Sequence, residues 1–122
     1  MIEQPDGIII TIGSDMIKEK GYRNWLRNFL TAMASETTTY WMRQGSQPTK
    51  EVMYVYLCIG GRVRFRANFV MSYGAGNKVF DDGRQMYGKA WIVLSGPIAR
   101  PKQGERIELK GFRGFRYCEK LF

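Results

Sequence analysis

Three arginines, Arg62, Arg64 and Arg66, alternate with Val63, Phe65 and Ala67 directly after the pair Gly60-Gly61. A guanidinium is a permanent cation whose planar donors match phosphate and carboxylate oxygens. Two strand-like runs, Val52–Ile59 and Arg62–Val70, flank the glycines, which suits a hairpin with a two-residue turn at positive φ. Such a turn pairs Ile59 with Arg62, Leu57 with Arg64 and Val55 with Arg66. Directly opposed residues share a face, so Tyr54, Tyr56, Cys58, Val63, Phe65, Ala67 and Phe69 are expected in the core. The arginines then stand on the other face, beside Val55, Leu57 and Ile59, about 6.6 Å apart along the strand. This ladder is a surface for a polyanion or an acidic partner, and by itself no catalytic site.

A second constellation lies in Lys110-Gly111-Phe112-Arg113-Gly114-Phe115-Arg116-Tyr117. Alternating aromatics and arginines supply base-stacking faces together with phosphate contacts. Arg113-Gly114-Phe115 fits the RNA-recognition-motif octapeptide, but Arg116 and Lys120 stand where that pattern has a small residue and an aromatic. The same residues also fit a core role for Phe112, Phe115 and Tyr117, with the glycines at a bulge. Tyr40 and Trp41 are two further candidates for stacking.

Other chemistries find little here. The chain has no histidine and two cysteines, which removes His-based relays and the usual structural zinc sites. Asp81-Asp82-Gly83 suits a turn better than a shared metal or proton. Gly74-Ala75-Gly76-Asn77-Lys78 lacks the spacing and the following Ser or Thr of a phosphate loop. Glu36, Asp81, Asp82, Lys89 and Glu119 are available as acids and bases, but their spacing assembles nothing. No enzyme activity, no cofactor and no metal are expected. Cys58 and Cys118 sit among apolar or aromatic residues and are expected as buried thiols, a disulfide requiring that the fold bring them together.

The 122 residues carry a net charge of +8, and its placement is uneven. Residues 1–51 hold six basic and six acidic side chains, residues 52–122 thirteen and five. An excess confined to one part of a chain points to nucleic acid or another polyanion. No apolar run approaches the roughly 18 residues of a membrane span, and no basic-then-apolar leader opens the chain. A soluble, cytoplasmic protein without a membrane partner is expected, as a single domain over residues 1–122.

Gly7 to Ile12 reads as a first strand, and Ser14 or Asp15 can cap a following helix. Tyr22, Trp25, Leu26, Phe29, Leu30 and Met33 form an apolar stripe at helical spacing. Gly21 is a weak point from which that helix can begin, leaving residues 15–20 as a turn. Thr37–Met42 reads as a second strand and Gly45–Lys50 as a loop. Ser72–Gly88 reads as a loop region anchored by Val79 and Phe80. Ala90–Leu94 is a buried strand ended by Ser95-Gly96-Pro97, Arg106–Leu109 a short strand, and Phe112–Phe122 a final strand or pair. One main helix in the N-terminal half and several short strands predict an α+β protein, built as a small curled mixed or antiparallel β-sheet or as a β-barrel.

Tyr54-Val55-Tyr56-Leu57, Arg62-Val63-Arg64-Phe65-Arg66-Ala67 and Ala90-Trp91-Ile92-Val93-Leu94 resemble the PUA-like superfamily, in particular its ASCH and EVE branches. The ASCH glycine-lysine-glutamate motif and the tryptophan-led EVE opening are not found. The resemblance implies a small β-barrel that binds RNA or modified DNA bases. Residues and resemblance together lead to a nucleic-acid-binding module, with RNA preferred and modified DNA second. Arg62, Arg64, Arg66, Arg113 and Arg116 would contact phosphate, and Tyr40, Trp41, Phe112 or Tyr117 an unpaired or flipped base. The alternative is a protein-interaction module, an adaptor or inhibitor that turns the same arginines toward an acidic protein.

Overall fold

Alternating β-branched and aromatic runs become strands here, and the apolar stripe becomes a helix. A computed structural model describes residues 4–13, 21–35 and 37–122. The strands are β1 (Gly7–Thr11), β2 (Thr39–Gln44), β3 (Tyr54–Ile59), β4 (Arg62–Tyr73), β5 (Gly76–Val79), β6 (Gln85–Gly88), β7 (Ala90–Ala99) and β8 (Phe115–Cys118). The helix α1 (Tyr22–Met33) starts straight after Gly21, at φ 78°. The expected Ser14 or Asp15 cap and the turn over 15–20 fall outside the described residues.

Six strands form one sheet in the order β2-β7-β4-β3-β1-β8, and β5 and β6 form a separate hairpin. β1 runs parallel to β3 and every other neighbour is antiparallel. β2 and β8 are free edges, so the sheet is open and mixed and does not close into the barrel that was one of the two expected forms. Among the described residues no helix is long and apolar enough to cross a membrane.

The helix packs on one sheet face through the expected stripe, burying Trp25, Phe29 and Met33 against Ile8, Ile10, Val55, Leu57, Ile92 and Leu94. Contact is closest at Gly96, where an added Cβ would lie 1.8 Å from the Met33 carbonyl oxygen. Only glycine lets the end of the helix approach β7 so nearly. The opposite face is also covered at the β3-β1-β8 end. There Ile9, Tyr56, Cys58, Val63 and Cys118 are buried beneath Ile107, Leu109, Phe112, Leu121 and Phe122. The Tyr56 hydroxyl ties down the covering segment by accepting from the Leu121 N–H (3.0 Å) and donating to the Phe122 carbonyl (3.2 Å).

The Gly60-Gly61 turn forms as expected, with φ of 61° and 79° and Ile59 opposite Arg62. The register beyond it differs. Cys58 pairs with Val63 and Leu57 with Phe65, so Arg64 is the extra residue of a β-bulge, and Arg66 lies opposite Tyr56. Because side chains alternate with period two, one inserted residue exchanges the faces of everything that follows. Val63 therefore stays with Cys58 and Tyr56, while Phe65 and Ala67 turn to the helix. The Phe65 ring lies 5.7 Å from that of Phe29.

Other boundaries shift too. β2 begins and ends two residues later than expected, and β7 continues through Pro97 to Ala99. The strand expected over Arg106–Leu109 is a single bridge between Arg62 and Glu108. The region read as a loop instead holds the end of β4 and the β5–β6 hairpin, whose residue Val79 is 56% exposed and anchors nothing. Phe80, the other expected anchor, does pack against Trp91, at 6.2 Å between ring centroids. Both cysteines are free and buried. Cys58 pairs with Thr11 and Cys118 with Gly7, about 13 Å apart along β1, beyond the roughly 7 Å Cα limit of a disulfide.

Candidate functional site

The bulge dissolves the arginine ladder. Arg62 shares the helix-side face with Ile59, and Arg66 points to the opposite face with Tyr56. Between them the Arg64 Nε donates to the Ile59 carbonyl (3.0 Å). Arg66 lies 4.4 Å over the Tyr54 ring and donates through Nη1 to the carbonyl of Phe122. Arg116 shares the face of Arg66, since it pairs with Ile9, which in turn pairs with Tyr56. That row spans three strand spacings, about 14 Å. Arg116 caps the Phe112 ring at 4.2 Å, so that face of the half-buried ring is already occupied. Arg113 is exposed on the turn before β8.

Tyr40 and Tyr117, like Phe112, are structural. Tyr40 accepts a hydrogen bond from the Trp25 Nε1–H (3.2 Å) and meets Phe29 edge to face at 5.3 Å. Burial raises its pKa above the ordinary value, and the Trp25 hydrogen bond offsets part of that rise. Tyr117 accepts from the backbone N–H groups of Thr49 (2.7 Å) and Lys50 (3.1 Å), pinning the loop after β2 onto β8. Burial alone would raise its pKa, but the hydrogen bonds from Thr49 and Lys50 outweigh it and hold the phenol below its ordinary value.

Trp41 belongs to a different assembly, on the face opposite α1 at the β2 end of the sheet. Register brings three strands together there: Arg43 lies opposite Trp91, Trp91 opposite Tyr73, and Trp41 opposite Val93. Trp41 and Tyr73 stack at 5.2 Å and 3° between planes, with Trp91 edge-on to Trp41 at 6.2 Å. The β5–β6 hairpin folds over this cluster. The Trp91 Nε1–H donates to the Gly76 carbonyl (3.0 Å), and the Lys78 ammonium sits 4.3 Å over the Trp41 ring.

Trp41, Tyr73, Trp91 and residues 74–78 line a concavity of about 350 Å³. A second, of about 380 Å³, is lined by Arg43, Gln44, Gly45, Tyr87 and Lys89. Both volumes lie at the lower end of the roughly 300–1,000 Å³ found for small-ligand pockets. Tyr73 and Tyr87 are 43% and 57% exposed, and Arg43 and Lys89 are exposed beside them. Acidic groups near the hairpin are partly engaged already. Asp82 accepts from the Arg84 backbone N–H and pairs with its guanidinium (2.7 Å), which holds its carboxyl below the ordinary range. The arrangement offers an aromatic cluster that reaches solvent at Tyr73, with cations on two sides, suited to an anionic ligand that carries a flat ring.

Trp41 is the one expected site residue in this cluster. Tyr73, Trp91, Lys78, Arg43 and Lys89 were missed. A signal for Tyr73 was present, because the alternation of the second hairpin strand continues past Val70 through Met71 and Tyr73. Arg43, two residues after Trp41 on one strand, was a second. No family model matches this chain, and no curated protein and no solved structure matches it.

Proposed function

We propose that this protein is a nucleic-acid-binding module, with RNA the preferred ligand and modified DNA the second, acting by binding rather than catalysis in a cytoplasmic setting. The observation that carries the reading is the Trp41–Tyr73 stack, in which Tyr73 is exposed and Trp41 half-buried, with Lys78 over Trp41 and Arg43 and Lys89 beside it. Base–aromatic stacking and phosphate neutralisation are the two terms such a ligand needs. The net charge of +8 supports it by attracting polyanions at long range. Membership of the PUA-like superfamily is part of the same proposal. It rests on the three segments that carry the resemblance, which fall on the adjacent strands β3, β4 and β7, while the open sheet departs from that superfamily's barrel.

Fluorescence anisotropy against short single-stranded RNA, single-stranded DNA and duplex, titrated across salt, tests the reading. Micromolar or tighter binding is expected, weakening steeply as salt rises. Absence of binding at low salt would overturn it. A second reading, docking to an acidic protein, is favoured by the exposed Tyr87 beside Arg43 and Lys89, since aromatic and Arg side chains dominate interface hot spots. Salt-sensitive association with one protein and none with nucleic acid would select it.

A further inference from the structure

The two concavities meet near Gly88, which lies against Trp91 of one and Arg43 of the other. At Gly88 an added Cβ would lie 2.8 Å from the Trp91 ring and 3.0 Å from the Arg43 side chain. Glycine there lets Trp91 and Arg43 pack against the β6 backbone. On one side the lining is aromatic, Trp41 and Tyr73 with the Lys78 ammonium. On the other it is cationic, Arg43 and Lys89 with Tyr87. Arg43 spends one N–H on the Tyr87 carbonyl (3.3 Å), which fixes the guanidinium against β6. A guanidinium has five donors, so others remain for a ligand. Trp41 and Arg43 project from the same face of the edge strand β2, about 6.8 Å apart. One nucleotide spans that separation from its base to its phosphate.

We propose that the two concavities are subsites for a single unpaired nucleotide, with its base against Tyr73 and Trp41 and its phosphate at Arg43 and Lys89. This rests on the nucleic-acid reading above and narrows it to ligands whose base faces are free. In a duplex the faces of each base are covered by its neighbours, so a stacking platform has nothing to meet. An acidic peptide would satisfy the cationic subsite but leave the aromatic one unused. Lys78 covers one face of Trp41, and as a compact charge on a flexible stem it can swing to an adjacent phosphate when a base arrives.

The test uses the full chain with labelled U-rich RNA, single-stranded DNA of equal length and a blunt duplex. Two variants complete it, Tyr73→Leu and the double change Arg43→Gln with Lys89→Gln, all at exposed side chains. Single strands are expected to bind at least tenfold more tightly than duplex. Tyr73→Leu is expected to weaken single-strand binding on the order of tenfold with an unchanged salt slope. The double variant should weaken it while lowering the log–log salt slope by about 0.7, the contribution of one phosphate on a single strand. A mononucleotide competing as well as the oligonucleotide would identify the free nucleotide as the occupant of the same two subsites. Equal binding of duplex, with no effect of Tyr73→Leu, would overturn the bipartite site and leave the nucleic-acid reading standing. Absence of binding by every probe would overturn both.

Discussion

Tyr117 shows how one hydroxyl can look like a ligand contact in sequence and be a structural pin in space. Its oxygen takes two backbone N–H groups from the loop after β2. Replacing it with phenylalanine keeps the ring and strands both donors, one of them half-buried. Tyr117→Phe should therefore lose about 1 kcal/mol of stability, read as a lower urea midpoint at an unchanged m-value. An unaltered midpoint would show that water replaces the phenol at no cost. Cys118 makes a pH-dependent contribution. Burial, with Asp6 adding to it, pushes this thiol from 9.0 up to about 11. Between those values the folded state holds its proton more tightly than the unfolded chain. Stability must then fall as pH rises through that window. Tyr40 acts in the same direction above its ordinary 10.0, and Tyr117, held below 10.0, opposes it. Cys118→Val should flatten the decline between pH 9 and pH 11 in denaturant titrations; an unchanged decline would assign it to Tyr40 and to Cys58, whose thiol burial also pushes up.

At the scale of the element, the bulge in the central hairpin decides which face each side chain takes. Arg64 is the inserted residue. Deleting it would make Val63 and Phe65 neighbours and leave Val63 opposite Cys58 and Phe65 opposite Leu57, with every face assignment kept. Deleting Val63 instead would bring Arg64 opposite Cys58 in place of an apolar side chain. The Arg64 deletion should thus cost on the order of 1 kcal/mol, whereas Phe65→Ala, which opens a cavity beside Phe29, should cost about 3–5 kcal/mol. Chemical denaturation of the two variants compares them directly. A deletion as damaging as the cavity would mean that the local twist supplied by the bulge is itself required.

For the whole molecule the dominant quantity is the eight uncompensated positive charges. Excess charge of one sign repels itself in the compact state. Added salt shortens the screening length from about 30 Å at 0.01 M to about 8 Å at 0.15 M, relaxing that repulsion. Sodium chloride over this range should raise Tm by a few degrees in the free protein while weakening any nucleic-acid complex. A Tm that falls with salt would show that favourable ion pairs outweigh the excess. The same charge would let the proposed phosphate subsite do without a dedicated cage, the field concentrating anions and Arg43 and Lys89 placing them.

The sequence by itself determined the features written within a few residues. Gly60-Gly61 required a turn at positive φ, the spacing from Tyr22 to Met33 required an apolar helix face, and Ala90–Leu94 required a buried strand. Each follows from a local steric or periodic rule. The expectation of an arginine face failed because it assumed that one side of the hairpin is core and the other solvent. Both faces are covered along most of its length, by α1 on one side and by residues 107–112 and 119–122 on the other. With two cores to fill, alternation no longer identifies the inner face, and a bulge can serve both. The aromatic site was hidden for a related reason. Trp41, Tyr73 and Trp91 come from three strands, and only the long-range pairing of β2, β7 and β4 makes them neighbours.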